Sequence, residues 1–356
     1  MATKTPIKVE NSELDITDFL KQAAASVNQS LKRSSNIIIG EDSVGGDSDV
    51  PHWIRTLIPE LDYAVGGYIH PGIPCSRIVE IHGAESVGKS TLALWITKRA
   101  IDQLNALAVY QDAEHVLTQE IIKGTKINMN RVMLDDPSVL EDVFNFQERI
   151  IEQLSERNLP IITVLDSIAA CSTKNEVDGD MSSYTVGEHA RLMSKGLRKI
   201  KAIISEKQVV SLWINQTREK IGITFGDSVA TFAGKAMNFY ASSRIRLAKI
   251  KTLKKDTGAP YGITVEATVI KNKVAPPLRK AHYDILFIQD GDSSYPRINV
   301  EGAVIDWLKD KGLIEGSPGF YEVEGSKLRR DAVVELFKRD PELFKKYIDL
   351  AYSVKQ

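Results

Sequence analysis

Cysteine is scarce in this chain, and so is any excess of charge. The 356 residues include two cysteines, Cys75 and Cys171, far apart and in no C-x-x-C pair. That argues against a disulfide framework or a cysteine-built zinc site and suits a reducing cytosol. No apolar run reaches the length of a bilayer span. Met1 to Asp15 is polar, unlike the apolar core of a secretory signal. The formal net charge of −1 gives no global sign of a polyanion partner. What remains, 43% hydrophobic and 26% charged residues, is a globular composition. The length allows one large domain with appendages or two to three domains.

The stretch Gly83-Ala84-Glu85-Ser86-Val87-Gly88-Lys89-Ser90-Thr91 organises the chain, and it fits the pattern G-x-x-x-x-G-K-[S/T]. Glycines let the backbone curl until several N–H groups face one anion. Lys89 adds a charge that reaches the β- and γ-phosphates of a nucleotide, and the Ser90 hydroxyl suits Mg²⁺. A helix starting here turns its positive end to the same phosphates. Such a pattern arises by chance in on the order of 1% of chains this long, so its setting decides. Arg77 to Ile81 is strand-like, and Lys89 to Leu104 is rich in helix formers with an apolar face. Strand, glycine turn and helix favour a phosphate loop over an ordinary Gly-rich turn.

Residues 53 to about 289 alternate strand-like runs with helical patterns, which predicts an α/β fold with a parallel sheet and helices on both faces. The runs Ile78–Ile81, Ala106–Tyr110, Ile161–Leu165 and Val209–Ile214 are followed by polar residues. Ligands in such folds gather at the carboxyl ends of strands. Gln111-Asp112-Ala113-Glu114-His115 follows the second run, Asp166-Ser167 the third and Asn215-Gln216 the fourth. An apolar strand ending in one Asp is the pattern that positions Mg²⁺, here at Asp166. Glu114 is placed to activate water, and Gln216 to sense a γ-phosphate. The ordered set reads as hydrolysis of a nucleoside triphosphate.

Charge is local where it is not global. Arg191 to Lys220 holds eight Lys/Arg against two Glu, and Arg244 to Lys255 holds six basic residues and no acid. Arg191, Lys195 and Arg198 fall on one helical face, apart from Leu192, Leu197, Ile200 and Ile204. Such a row tracks phosphates without reading bases. A solvated helix face is the plainer alternative.

From about Ile54 onward the sequence resembles the bacterial RecA recombinase family, including related phage strand-exchange proteins. The resemblance rests on Arg77–Thr91, Asp112–His115, Leu165–Ala170, Asn215–Gly222, Phe239–Ser242 and Lys271–Pro277, in that order. It implies an ATP- and Mg²⁺-dependent enzyme, hydrolysing ATP in response to DNA and catalysing strand exchange. It would form a helical filament on single-stranded DNA, take up double-stranded DNA, and act in DNA repair and the SOS response. Single-strand-binding and loading proteins would be further partners, in a bacterial cytoplasm or a phage-infected cell, with no membrane role. Gly83, Glu85, Ser86, Val87, Gly88, Lys89, Ser90 and Thr91 would bind nucleotide, and Ser90 and Asp166 the metal. Glu114, Lys89, Asp166 and Gln216 would be catalytic, with Lys271 and Lys273 reaching a neighbouring subunit's phosphates.

The resemblance also implies two DNA-binding loops. Glu176 to Gly187 would be the first, with Val186 near its tip and Arg191, Ser194 and Arg198 on the helix that follows. Gln216 to Asn238 would be the second, contributing Thr217, Arg218, Ile221, Gly234 and Lys235. Residues 1–52 are expected to be an oligomerisation segment, with a helix at Asp15–Leu31, a strand at Ser34–Ile39 and a Gly-rich linker. Residues 53–289 would be the ATPase core and 290–356 a small C-terminal α/β domain gathering duplex, with Lys327, Arg329 and Arg330 as candidates and a solvated turn as the alternative for them. Ile121 stands where the family often has a tyrosine near the adenine pocket, which removes a stacking contact. A ring-shaped motor and a DNA-binding mediator with little hydrolysis are the competing readings.

Overall fold

The computed structural model describes residues 50–179, 187–205, 207–219, 229–231, 235–290 and 293–354, together with Gln22, Ala23 and Ser26, which are helical. The expected strand at Ser34–Ile39 and the linker after it lie outside the described residues. Residues 1–49 and 50–356 separate into two compact units, and the second is described below.

A short pair, β1 (Trp53–Ile54) and β2 (Ile73–Pro74), brackets helix α1 (Pro59–Gly66). Strand and helix then alternate: β3 (Arg77–Gly83), α2 (Lys89–Leu104), β4 (Leu107–Asp112), α3 (Gln119–Thr125), β5 (Val132–Asp135) and α4 (Leu140–Ser155). Next come β6 (Ile161–Asp166), α5 (Lys174–Asp178), α6 (Glu188–Ser205) and β7 (Val209–Glu219). After β8 (Val229–Thr231) and α7 (Ala236–Tyr240) the alternation stops. Four strands follow one another: β9 (Ser243–Lys254), β10 (Pro260–Asn272), β11 (Lys280–Asp290) and β12 (Ser293–Ile298). The chain closes with α8 (Val300–Asp310), β13 (Phe320–Val323), β14 (Ser326–Arg329), α9 (Arg330–Arg339) and α10 (Pro341–Ala351).

The main sheet runs in the order β12-β11-β10-β9-β3-β7-β6-β4-β5, with β8 paired to β7. The strands from β9 to β5 in that order are parallel, while β10, β11 and β12 add antiparallel. The sheet is therefore mostly parallel, as expected, but the alternation predicted as far as residue 289 ends at β9. The reason is local. Lys255 to Ala259 closes a tight turn through Lys255 N to Ala259 O at 2.9 Å, with Gly258 at φ +82°, and a short turn can join only antiparallel neighbours. β12 joins this sheet, so the core sheet continues past the boundary expected at 289.

Both faces of the parallel half are covered, and side chains alternate between them. Val79 and Ile81 of β3, Ile162 and Val164 of β6, and Val210, Leu212 and Ile214 of β7 pack into the core that holds Leu92 and Ile96 of α2. Ile78, Ile161, Leu165, Val209 and Trp213 face the opposite core with Val143 and Phe144 of α4 and Leu197 and Ile200 of α6. The buried positions of α6, Met193, Gly196, Leu197, Ile200 and Ile204, recur at helical spacing. That leaves its basic residues on the outside.

The C-terminal segment has its own apolar cluster, including Ile305, Trp307, Leu308, Val333, Phe337 and Tyr347, which packs on Tyr63 of α1. The last helical stretch is broken into α9 and α10 at Pro341, which lacks the N–H a continuous helix needs. Asp340 caps the new start by accepting from Leu343 N at 2.9 Å. Arg330 was expected to meet DNA, and the structure assigns it another task. It forks onto Asp306, Nε to Oδ2 at 2.9 Å and Nη2 to Oδ2 at 2.7 Å, and reaches Asp284 of β11 at 2.9 Å. Lys327 and Arg329 instead stack over Phe320 at 5.3 and 5.8 Å.

The end of α10 is tied to the core by Asp62. This buried carboxylate accepts from Thr56 N and Thr56 Oγ1, the latter at 2.7 Å, and from the Tyr352 hydroxyl. Burial pushes its carboxyl from 3.8 up to about 6, against the pull of those donors and of Arg99. A carboxyl raised on folding contributes stability below its unfolded value and loses that contribution as pH rises through its folded one.

Two outcomes follow. Between about pH 3 and 7 the protein should lose about 3 kcal/mol that an Asp62→Asn variant does not lose, measured by urea unfolding across that range. Arg330→Met should cost about 2 kcal/mol in the same assay while leaving duplex affinity unchanged.

Candidate active site

The phosphate loop leaves β3, a central strand flanked by β7 and β9. Gly88 sits in the left-handed region at φ +90°, and a Cβ there would lie 2.2 Å from Ile285 Cδ1. Conformation and space both demand glycine. Ala84, Glu85 and Ser86 are exposed at the loop's crest, Val87 and Lys89 are buried, and Ser90 and Thr91 open α2. Lys89 Nζ donates to Ala84 O at 2.7 Å, across the loop. Burial lowers the pKa of its ammonium, and Glu114, Asp166 and Glu85 pull the other way.

Parallel register brings the other candidates to this edge. Gly83 is level with Gln216, and Asp112 with Asp166. Strand β7 does not stop at Ile214 but continues through Gln216 to Glu219, where β8 pairs with it. Gln216 therefore stands on a strand rather than at the start of a loop. Its Nε2 donates to Glu114 Oε1 at 2.8 Å, and the Ser167 hydroxyl donates to the same oxygen. One carboxylate thus joins the ends of three strands. Glu114 is exposed, as a residue that must meet water should be.

Asp166 is fully buried. Burial pushes its carboxyl up to about 6, while the nearby Ser90 and Tyr110 hydroxyls pull it down and Glu114 and Asp112 add to the rise. Its Oδ1 is buried without a partner. A buried lone carboxylate oxygen beside a serine hydroxyl fits a divalent cation. No group of three or more His, Cys, Asp or Glu could hold a metal among the described residues.

Tyr110 is the partner that sequence reasoning missed. It sits within an apolar strand, where a tyrosine looks like core, and only the fold shows its hydroxyl on Asp166 Oδ2 at 3.0 Å. Tyr295 of β12 was missed as well. Its ring lies against Gly124, where a Cβ would come within 2.2 Å of it, and lines a cavity of about 550 Å³ that reaches Thr91.

Lys271 and Lys273 are not brought to the phosphate loop. Lys271 pairs with Arg244, which is level with Glu80, three residues before Gly83. Its ammonium donates to Asn238 O at 2.5 Å and Ala241 O at 2.7 Å, and Lys273 reaches Phe239 O at 3.4 Å. Burial, with Lys273 and Arg244 nearby, lowers Lys271 to about 8.

Of the expected DNA-binding residues, Arg191 and Arg198 are exposed on α6 and Ser194 is half-buried beside them, its hydroxyl on Ala190 O at 2.8 Å. Arg198 Nε donates to the Tyr240 hydroxyl at 3.2 Å, which ties α6 to α7. Thr217 pairs with Thr231, Arg218 with Ala230, and Lys235 is exposed at the start of α7. Val186, Ile221 and Gly234 lie outside the described residues. The short helix α5, with a capping box between Thr173 and Glu176, occupies the start of the first expected loop.

A left-handed glycine turn, a buried lysine and acidic strand ends on a mostly parallel sheet define a phosphate-loop nucleotide-binding protein. The family description "RecA N-terminal domain" matches residues 19–291. Protein RecA of Chlamydia pneumoniae is 34% identical over 337 residues, 94% of this chain and 90% of the relative. Protein RecA of Heliobacterium modesticaldum is 35% identical over 326 residues, 91% and 89% of the two chains, and that of Synechocystis 37% over 292 residues, 82% and 78%. The chain belongs to the RecA family, and its function is that of a recombinase in DNA repair. No helix among the described residues is long and apolar enough to cross a membrane.

Lys89→Ala should weaken binding of a fluorescent ATP analogue by about 10- to 100-fold, the usual worth of one charged hydrogen bond. Unchanged affinity would place the nucleotide elsewhere.

Proposed function

We propose that the protein is a DNA-dependent ATPase that couples ATP hydrolysis to homologous pairing and strand exchange. One observation carries this reading: Glu114 accepts hydrogen bonds from Ser167 and Gln216 together, and Gln216 lies on the strand that leads into the second DNA-binding segment. The nucleotide site and the DNA-contacting segment then share one rigid element.

The loop from Gly83 to Thr91 cradles the phosphates, with Lys89 on the β- and γ-oxygens. Ser90 and Asp166 would hold Mg²⁺, and the ion would supply charge neutralisation for the phosphates. Glu114 takes a proton from the attacking water while the new P–O bond forms and the bond to ADP breaks. A γ-phosphate that draws the Gln216 amide removes one donor from Glu114 and pulls on β7. This is how nucleotide state reaches Thr217, Arg218, Ile221, Gly234 and Lys235. Arg191, Ser194 and Arg198, with Val186, complete a face that follows the single-strand backbone, so binding falls steeply with salt.

Lys271 is level with the middle of β3 and not with the phosphate loop at its carboxyl end, and Lys273 follows two residues later. That favours action on a neighbouring subunit's phosphates, where the nearby anion would restore the charge of Lys271. Among the described residues strand β5 ends the sheet, with Met133 and Leu134 exposed at 41% and 46%. An open edge of this kind suits pairing with the Ser34–Ile39 segment of another copy, a head-to-tail contact that builds filaments.

ATP turnover measured with and without single-stranded DNA tests the reading. Stimulation by single strands is expected, reduced at least about 100-fold in Glu114→Gln, which should still bind nucleotide. Turnover indifferent to DNA, or closed rings in electron micrographs, would favour a motor instead.

A further inference from the structure

Tyr110 is fully buried near the end of β4, and its hydroxyl bonds one oxygen of Asp166. The register explains the contact. Tyr110 is level with Val164, two residues before Asp166 on the parallel neighbour β6. The long ring therefore reaches up the sheet to a carboxylate at the strand's end. The two oxygens of Asp166 are thereby made unequal. Oδ2 accepts the Tyr110 hydroxyl at 3.0 Å, whereas Oδ1 is equally buried and accepts nothing.

We propose that Tyr110 is a positioning residue for the metal-binding carboxylate, fixing Asp166 by Oδ2 so that Oδ1 is presented to Mg²⁺ beside Ser90. This rests on Asp166 being the metal acid of the proposed function. A carboxylate on a single Cβ–Cγ bond turns readily, and one fixed donor selects a single orientation. The neighbouring strand residues Val109 and Val164 are apolar and offer no substitute donor. Outer-sphere partners of this kind are worth about 10- to 100-fold in metal affinity. The plainer alternative is a core tyrosine whose hydroxyl merely found an acceptor. It predicts a cost in stability with no effect on the metal.

The test is a Mg²⁺ titration of the binding of a fluorescent ADP analogue, read by anisotropy without hydrolysis. Tyr110→Phe conserves the ring and leaves no cavity, and a melting curve confirms folding. The half-saturating Mg²⁺ concentration should rise about tenfold, with affinity in EDTA unchanged. In an Asp166→Asn background the same substitution should shift nothing further, because the group it orients is gone. A midpoint equal to that of the unsubstituted protein, or an equal shift in both backgrounds, overturns the proposal. If the unsubstituted protein shows no Mg²⁺ dependence, the reading of Asp166 as metal acid fails, and this inference with it.

Discussion

The in-register pairing of parallel strands is the constraint on which this molecule depends. Strands β3, β7, β6 and β4 are buried on both faces, so a one-residue slip would exchange the two cores and cannot be tolerated. Gly83, Gln216, Asp166 and Asp112 come from distant parts of the chain, and the pairing delivers them to one edge. The site's precision is that of hydrogen-bonded strands rather than of loops.

The same burial sets the electrostatics. Glu80 lies fully buried in the middle of β3, and Arg244 of β9 and Asn215 of β7 both donate to it. A buried carboxylate of this kind persists only because both oxygens are satisfied. Its neighbour His82 is equally hidden, with no hydrogen-bond partner at either ring nitrogen. Burial and the cations Arg244, Arg246 and Lys89 lower it to about 3, so the ring stays neutral. Positive charge near the phosphate loop is thus left to Lys89 and to Arg246, which is level with His82. Anionic substrate would meet a site already arranged for it, with little reorganisation left to make.

The C-terminal segment shows the opposite economy, in which charged residues that look like ligands serve the fold. Arg330 holds β11 and α8 together through Asp284 and Asp306, and Tyr352 closes on Asp62. Basic residues in sequence carry no sign of whether a carboxylate awaits them. Arg330 and Lys327 look alike on paper, and only the approach of β11 separates their roles.

Much of the protein was legible in its sequence. The phosphate loop, the acidic strand ends and the basic face of α6 are local patterns with local causes: backbone freedom at glycine, period-two burial in strands and helical spacing of cations. These determined the fold class, and the order of the motifs pointed to the family. Tertiary structure decided what depends on pairing between distant segments. It turned the run after Tyr240 into an antiparallel hairpin layer, extended β7 through Gln216, and held Lys271 away from its own phosphate loop. It also set the Tyr110 hydroxyl on Asp166, a contact invisible in a strand that reads as plain core. The physical reason is the same in each case. Local propensity chooses an element, whereas a hydrogen bond between side chains far apart in sequence exists only once the register has brought them together.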